Sequence, residues 1–274
     1  MARASIIRGG LLLALTGWLA TAAIAIGDRG ADGRFDRRDS FHFTLYQDVD
    51  LDETSGLRGS RRFEQEMLRE LESAYDRLDA ILKLRPERKL VVYVWDPDLF
   101  VQRFQGLFKF PAAGFYGGAI HVRGDQRVTG ALVRVLHHEL VHAAFDAEAP
   151  RLQLPAWMNE GIAEWFEARA TGKRSLSGGE RAALRRLARE DRLFSLAELS
   201  GPNFGGLGPN AAAIAYLESY AFIDHLVQAH GEARLVRFWS DVVRSRSLAR
   251  GSRRAYRRDL DELERDFRRS LASL

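Results

Sequence analysis

The 274-residue sequence contains no cysteine, and this absence excludes several kinds of protein. Disulfide-stapled scaffolds, thiol enzymes, cysteine-ligated zinc modules and cysteine-anchored lipoproteins are all ruled out. A metal site in this chain must therefore use histidine and carboxylate ligands. An exported form must take its stability from its core or from a bound metal, because no disulfide can contribute.

Strong excess charge, internal repeats and nucleotide-binding loops are also lacking. The net charge is only +4, since 41 lysines and arginines are balanced by 37 aspartates and glutamates. Bulk charge therefore does not indicate a nucleic-acid partner. No glycine-rich phosphate loop follows a strand pattern, which leaves nucleotide chemistry without support. The hydrophobic content of 46% is that of an ordinary globular protein with a sizeable core.

One long apolar run is present, at the N-terminus. Arg3 and Arg8 precede an uncharged stretch over residues 9–26, with a small-residue motif at 23–25. This order is typical of a secretory signal peptide, and the run is also close to the length of a membrane span. We predict that residues 1–26 form a signal peptide or an uncleaved membrane anchor. The protein is then exported, periplasmic or extracellular, and either free or tethered to the membrane.

Hydrophobic periodicity divides the rest of the chain into a strand-containing part and a helical part. Residues 27–40 are rich in glycine, aspartate and arginine and predict a flexible spacer. Strand patterns that precede helical patterns predict an α+β fold over 41–274, with a β-containing lobe (41–148) and a helical lobe (149–274). The strand patterns cover 41–45, 89–95 and 115–123, and the helical patterns cover 59–84, 128–147, 156–170, 179–191, 211–230, 231–243 and 254–274.

A HELVH motif over residues 138–142 is the main candidate site. Residues four positions apart lie on one face of an α-helix, so the imidazoles of His138 and His142 can reach the same ion. Glu139 is rotated by about 100° from His138 and can face a water on the metal rather than the metal itself. The spacing predicts a metal-binding helix, with two surface histidines on an ordinary helix as the alternative.

A second helical segment supplies a candidate third ligand. Zinc held by two histidines in a catalytic site takes a third protein ligand and leaves one position open for water. Glu160 lies 18 positions after His142, and Glu164 lies one turn further on the same helix face. We predict that Glu160 binds the metal and that Glu164 accepts a hydrogen bond from a ligand imidazole. A solvated acidic face is the alternative, which the surrounding apolar residues disfavour.

These two segments, HHELVHAAF and LPAWMNEGIAEWFE, resemble the peptidase MA-like families of the gluzincin clan, which includes thermolysin and the M1 aminopeptidases. The resemblance implies a zincin-like fold: a small mixed or antiparallel sheet with helices, an active-site helix carrying HExxH, and a mainly helical C-terminal lobe. It also implies one Zn²⁺ held by His138, His142 and Glu160, with Asn159 and Glu164 supporting these ligands. The glycine and third histidine of the metzincins are absent, which favours glutamate as the third ligand.

A third segment extends the resemblance. Residues 215–222, AYLESYAF, are similar to the C-terminal helix of M1-like enzymes, in which a tyrosine donates to the oxyanion. Tyr216 falls on that position, so the resemblance implies that it stabilises the tetrahedral intermediate; a core residue of an amphipathic helix is the alternative. No GAMEN sequence of the M1 exopeptidases occurs, which disfavours an aminopeptidase. Residues 112–122, AAGFYGGAIHV, are a candidate for an edge strand that binds an extended substrate.

Together these features predict a zinc-dependent peptidase for peptide or protein substrates, with Glu139 as general base and Tyr216 as oxyanion donor. The alternative is an exported zinc-binding but non-proteolytic chaperone, assembly factor or structural module of the cell envelope. Two stretches are rich in arginine, 181–192 and 244–258. We interpret them as solvated helix faces rather than as surfaces that contact an anionic membrane. We expect no nucleic-acid partner, and any membrane association should come through the N-terminal segment. Three histidines outside the motifs are expected to be structural: His42, His121 and His137.

Overall fold

The computed structural model describes residues 15–16, 35–49, 51 and 59–273, and its architecture is α+β, as predicted. The predicted signal peptide or anchor lies outside the described residues except for 15–16. The described strands are β1 (Leu15–Thr16), β2 (Asp36–Asp39), β3 (Phe43–Asp48), β4 (Leu90–Trp95), β5 (Gly114–Tyr116) and β6 (Ile120–Arg123). The described α-helices are α1 (Gly59–Leu82), α2 (Pro97–Phe104), α3 (Gly130–Glu148), α4 (Ala156–Ala170), α5 (Gly178–Arg189), α6 (Pro209–His230), α7 (Glu232–Ser245), α8 (Leu248–Tyr256) and α9 (Leu260–Ser273).

The strands form one mixed sheet in the order β1-β5-β6-β4-β3-β2. Strands β3, β4 and β6 run parallel to one another, whereas β2 is antiparallel to β3 and β5 is antiparallel to β6. Residues Leu15 and Thr16 pair in parallel with Phe115 and Tyr116 of β5. The parallel centre of the sheet requires crossover connections, and α1 and α2 provide them.

The two faces of the sheet are covered differently. On one face α1 and α3 pack side by side over buried residues such as Leu45, Val92 and Val122. On the other face the short helix α2 places Phe100 and Phe104 in an aromatic cluster with Trp95 and Phe115. The helices after α3 extend the first core, so α3 lies between the sheet and the helical lobe.

The structure corrects the sequence-based boundaries in three places. Residues 36–39, which we predicted to belong to the flexible spacer, pair with β3 as strand β2. The segment 115–123, predicted as one strand, is a hairpin of β5 and β6, because the chain turns at Gly118, whose φ of 84° suits glycine. The predicted helix 254–274 is interrupted after α8, where Arg257 adopts a left-handed conformation with a φ of 59°. Within the described residues, no helix is long and apolar enough to span a membrane.

A close contact between α4 and α6 depends on Gly161. A Cβ atom at this position would lie 2.6 Å from the Ser219 carbonyl oxygen and 2.9 Å from Ile223 Cγ1. Both helices are buried here, and the neighbouring residue Glu160 is fully buried. The small residue therefore sets the distance between the helix that carries Glu160 and the helix that carries Tyr216.

We expect Gly161→Ala to destabilise the protein by about 1–3 kcal/mol, because the added methyl group must push buried backbone apart. Chemical denaturation followed by circular dichroism measures the change. Gly179→Ala is the matched control, since a Cβ there meets nothing within 4 Å. Equal stability of the two variants would contradict the close-contact argument.

Candidate metal centre

Helix α3 carries the HELVH motif through the core. Its N-terminus is capped by Thr129, whose hydroxyl oxygen accepts a hydrogen bond from the Leu132 N–H at 3.3 Å. His138 and Glu139 are completely buried, and His142 is 3% exposed. Buried ionisable groups must find partners or a metal, because burial without compensation disfavours their charged forms.

Three predicted ligands converge on one point. The His138 Nε2 atom lies 3.2 Å from Glu160 Oε2, and the His142 Nε2 atom lies 3.5 Å from the same oxygen. All three donor atoms lie within 4.8 Å of one another. Tetrahedral ligands at typical zinc distances of about 2.0–2.1 Å are separated by about 3.3 Å, close to the two measured distances.

The donor set fits a bound metal ion. The His142 Nε2 atom is buried and makes no hydrogen bond within the described residues, which suits an atom that binds an ion. Two imidazoles and one carboxylate are the ligand set of many catalytic zinc sites. The residues present therefore fit a single divalent cation.

A second layer of contacts orients the histidine rings. His142 Nδ1 lies 3.0 Å from Asn159 Oδ1, a hydrogen bond that directs Nε2 toward the metal position. His138 Nδ1 faces two carboxylates, at 3.7 Å from Glu164 Oε1 and 3.8 Å from Glu167 Oε2. These distances are too long for a hydrogen bond, so the predicted hydrogen bond to Glu164 is not formed in the structure. Glu167 did not emerge from the sequence, although it lies seven residues after Glu160 and thus on the same helix face.

Comparison with known protein families agrees with this geometry. The model of the peptidase MA superfamily matches residues 94–273, from the end of β4 to the end of α9. The chain belongs to the peptidase MA superfamily. It is a metallopeptidase of that superfamily, with His138 and His142 of an HExxH motif and Glu160 as its metal-binding triad. A search of curated proteins gave no match.

Glu139 is fully buried beside the triad of this metallopeptidase. Neither of its carboxylate oxygens makes a hydrogen bond within the described residues. Burial raises the pKa of Glu139 well above its ordinary value, and the negative charge of Glu160 acts in the same direction. The nearby His138 opposes this rise. Glu139 is thus a carboxyl group with increased affinity for a proton.

Tyr216 of α6 is packed beside the same group of carboxylates. It is 1% exposed, and its hydroxyl makes no hydrogen bond within the described residues. Burial raises the pKa of Tyr216 well above its ordinary value. The negative charges of Glu160, Glu164 and Glu139 raise it further. The phenol therefore stays protonated and keeps a hydrogen to donate.

The two metal-binding histidines differ in protonation. Burial disfavours the charged form of His138, but the hydrogen bond to Glu160 and the nearby carboxylates of Glu167 and Glu164 raise its pKa well above 6.5. Burial lowers the pKa of His142 below its ordinary value. Burial would raise the pKa of Glu160, yet His142 and His138 outweigh it and lower that pKa to about 2. Before metal binding, His138 thus carries the proton while Glu160 is ionised.

Metal affinity is expected to rise with pH until the raised pKa of His138 is passed. Below that pKa an entering ion must displace the His138 proton, so affinity should increase about tenfold per pH unit. His142 and Glu160 add no further proton, because their pKa values are lowered. Calorimetry with Zn²⁺ in buffers of different ionisation enthalpy measures the released proton directly. Proton-independent binding at neutral pH would contradict this assignment.

The three histidines expected to be structural lie away from the triad or face elsewhere. His121 accepts a hydrogen bond from Trp95 Nε1 at 3.1 Å within the aromatic cluster, and burial lowers its pKa to about 4. His42 contacts Glu72 at 2.6 Å. His137 contacts the Val133 carbonyl oxygen at 2.8 Å. Each of the three thus has a contact partner outside the triad.

One cavity borders the metal-binding residue His142, and a second borders Glu164 and Tyr216. One, of about 50 Å³, is bordered by His142 and Asn159 and by apolar side chains that include Phe145, Leu152 and Val243. The other, of about 240 Å³, is more polar, and it is bordered by Tyr216 and Tyr220. Its remaining lining includes Arg134, Glu164, Glu167 and Lys173.

Proposed function

We propose that this protein is a zinc-dependent peptidase that hydrolyses peptide bonds in exported or envelope polypeptides. The observation that carries the proposal is the buried triad of His138, His142 and Glu160 with the unpartnered carboxyl group of Glu139 beside it. A structural zinc site needs four protein ligands and no adjacent acid. Three ligands and a free carboxyl group are what hydrolysis requires.

The metal is assigned as zinc from its ligands. Two imidazole nitrogens and one carboxylate oxygen suit Zn²⁺ better than Mg²⁺ or Ca²⁺, which prefer all-oxygen sites. When bound, zinc supplies a Lewis acid that polarises the scissile carbonyl and lowers the pKa of water. Asn159 keeps the His142 ring in the orientation and tautomer that this binding needs, and Glu164 places a carboxylate beside His138 Nδ1.

Glu139 acts as the general base and then as the general acid. It takes a proton from the attacking water and later returns it to the nitrogen of the leaving amine. Burial raises the pKa of Glu139, which increases its affinity for the proton that it takes from water. A solvent-exposed glutamate, with its lower pKa, would be a weaker base toward the attacking water.

Tyr216 acts on the oxyanion of the tetrahedral intermediate. Its hydroxyl is protonated, buried and without a partner among the described residues, so it can donate to a negative charge that develops nearby. In a site without bulk water such a donor stabilises the intermediate more than it would in solution. We therefore assign Tyr216 as the second catalytic residue.

The outer edge of β5 is proposed as the strand that aligns the substrate. An extended peptide adds to such an edge through backbone hydrogen bonds. In the structure, residues 15–16 pair with this edge. Cleavage of residues 1–26 as a signal peptide, which we propose together with export, would remove them and leave the edge open for substrate.

The test of the proposed function is hydrolysis of a peptide library by the zinc-loaded full chain, read by mass spectrometry of new termini. Cleavage should stop when a chelator removes the metal and return when Zn²⁺ is restored. A protein that holds one equivalent of zinc and cleaves no peptide would contradict the peptidase proposal. It would favour the non-proteolytic envelope module instead.

A further inference from the structure

A strongly basic surface is formed by the end of α7, by α8 and by the turn that follows. Residues 244–258 contain seven arginines and no acidic residue, and all seven arginines are exposed. We call this surface the arginine face. The sequence alone favoured a solvated helix face balanced by acids, but this stretch has no acid of its own.

Packing of α8 fixes the direction in which these arginines point. Gly251 and Ala255 are buried against α7, and a Cβ atom at Gly251 would lie 2.4 Å from Val242 Cγ2. The opposite side of α8 carries Arg250, Arg253 and Arg254, which are exposed. The packing of Gly251 therefore fixes the orientation of α8 with its arginine side chains exposed to solvent.

Few carboxylates neutralise this surface. Asp241 is shared by Arg244 at 2.6 Å, Arg237 at 3.6 Å and Arg254 at 3.7 Å. Within the described residues, Arg250, Arg253 and Arg257 take part in no ion pair. Their guanidinium groups remain available to an external anion.

The arginine face follows directly in the chain from a residue that lines a cavity beside His142. Val243, which precedes Arg244, lines the cavity bordered by His142 and Asn159. One turn earlier, Trp239 packs against Phe145 of α3, with ring centroids 5.8 Å apart. This end of α7 thus connects the basic surface to the helix that carries the HExxH motif.

We propose that the arginine face binds an acidic segment of the polypeptide substrate next to the cleft. The inference rests on the proposed peptidase function and adds a substrate class to it. Guanidinium groups bind carboxylates in a bidentate geometry, so several arginines on one face suit a run of aspartates or glutamates. Continuity with the metal-site cavity favours a substrate segment over a lipid surface.

The test measures binding apart from turnover, with the full chain carrying Glu139→Gln. The probe is a fluorescent peptide of alternating aspartate and alanine, and alternating asparagine and alanine is the neutral comparison. The triple substitution Arg250→Gln, Arg253→Gln and Arg257→Gln should weaken binding of the acidic peptide by about tenfold, with a smaller difference at high salt. The neutral peptide should bind weakly to both proteins.

A matched control separates this surface from net charge. Arg61→Gln, Arg62→Gln and Arg69→Gln remove three exposed arginines from α1 and should leave binding unchanged. Unchanged affinity in the α8 variant, or an equal loss in the α1 control, would overturn the proposal. So would selective binding to phosphatidylglycerol vesicles or an oligonucleotide in place of the peptide. This experiment measures peptide binding and not turnover. Its failure can therefore be distinguished from a failure of the peptidase proposal.

Discussion

Replacing Glu139 by glutamine is expected to lower kcat for peptide hydrolysis by about 10²–10⁴-fold while the protein keeps its metal. Glutamine has nearly the same shape but cannot accept the proton of the attacking water. The carboxylate is not one of the three converging donors, so metal affinity should change little. Both oxygens of Glu139 lack a hydrogen-bond partner within the described residues, which limits the structural cost of the substitution.

The measurement pairs steady-state kinetics on a peptide cleaved by the wild-type protein with metal analysis of the same preparation. Glu148→Gln is the control, because Glu148 is an exposed residue at the end of the same helix. Retention of full activity by Glu139→Gln would refute the assignment of the base. Loss of metal together with activity would instead place Glu139 among the ligands.

Replacing Glu160 by alanine is expected to abolish stoichiometric metal binding, with affinity for Zn²⁺ reduced by more than about 100-fold. Substitution of a residue that only supports a ligand typically costs 10–100-fold, and Glu160 supplies a donor atom itself. The substitution leaves His138 and His142 as two ligands, fewer than the three protein ligands typical of catalytic zinc sites. Hydrolysis should be lost in parallel, since no polarising ion remains.

Affinity is measured by competition with a chromogenic chelator and by metal analysis after dialysis. Thermal unfolding supplies an independent readout, because a ligand that binds the folded state raises the melting temperature. The wild-type protein should melt at a higher temperature with zinc than without it, and Glu160→Ala should show no such rise. Stoichiometric zinc in the alanine variant would mean that another carboxylate is the third ligand.

Several elements of the site follow from local sequence patterns. The pairing of His138 with His142 depends only on the helical repeat, which is a property of the backbone. Helix α4 was predicted over its full length from apolar spacing and from the preceding proline, and it carries both Glu160 and Glu164. The order of strands before helices predicted the α+β class. These features could be predicted because each depends on contacts between near neighbours in the chain.

Other features depend on contacts between distant segments. Arg134 Nε lies 3.4 Å from Glu167 Oε1, and this ion pair joins α3 to α4 beside His138. The hairpin of β5 and β6 was predicted as one strand because both halves share the same residue types, although Gly117 and Gly118 between them are a turn signal. Strand β2 has the composition of a spacer, and only its pairing with β3 makes it a strand.

The sequence by itself determined the metal-binding motif, its third ligand and the family to which the chain belongs. Helical periodicity and the resemblance to a known family were sufficient for this, since the amino-acid sequence itself gives the residue types that bind the metal. The tertiary structure alone decided that the triad converges in a buried place, that Glu139 and Tyr216 lack hydrogen-bond partners among the described residues, and that Val243, next to the arginine face, lines the cavity beside His142. The reason is that burial and desolvation, which shift the pKa values of these groups, arise from the packing of helices distant in sequence.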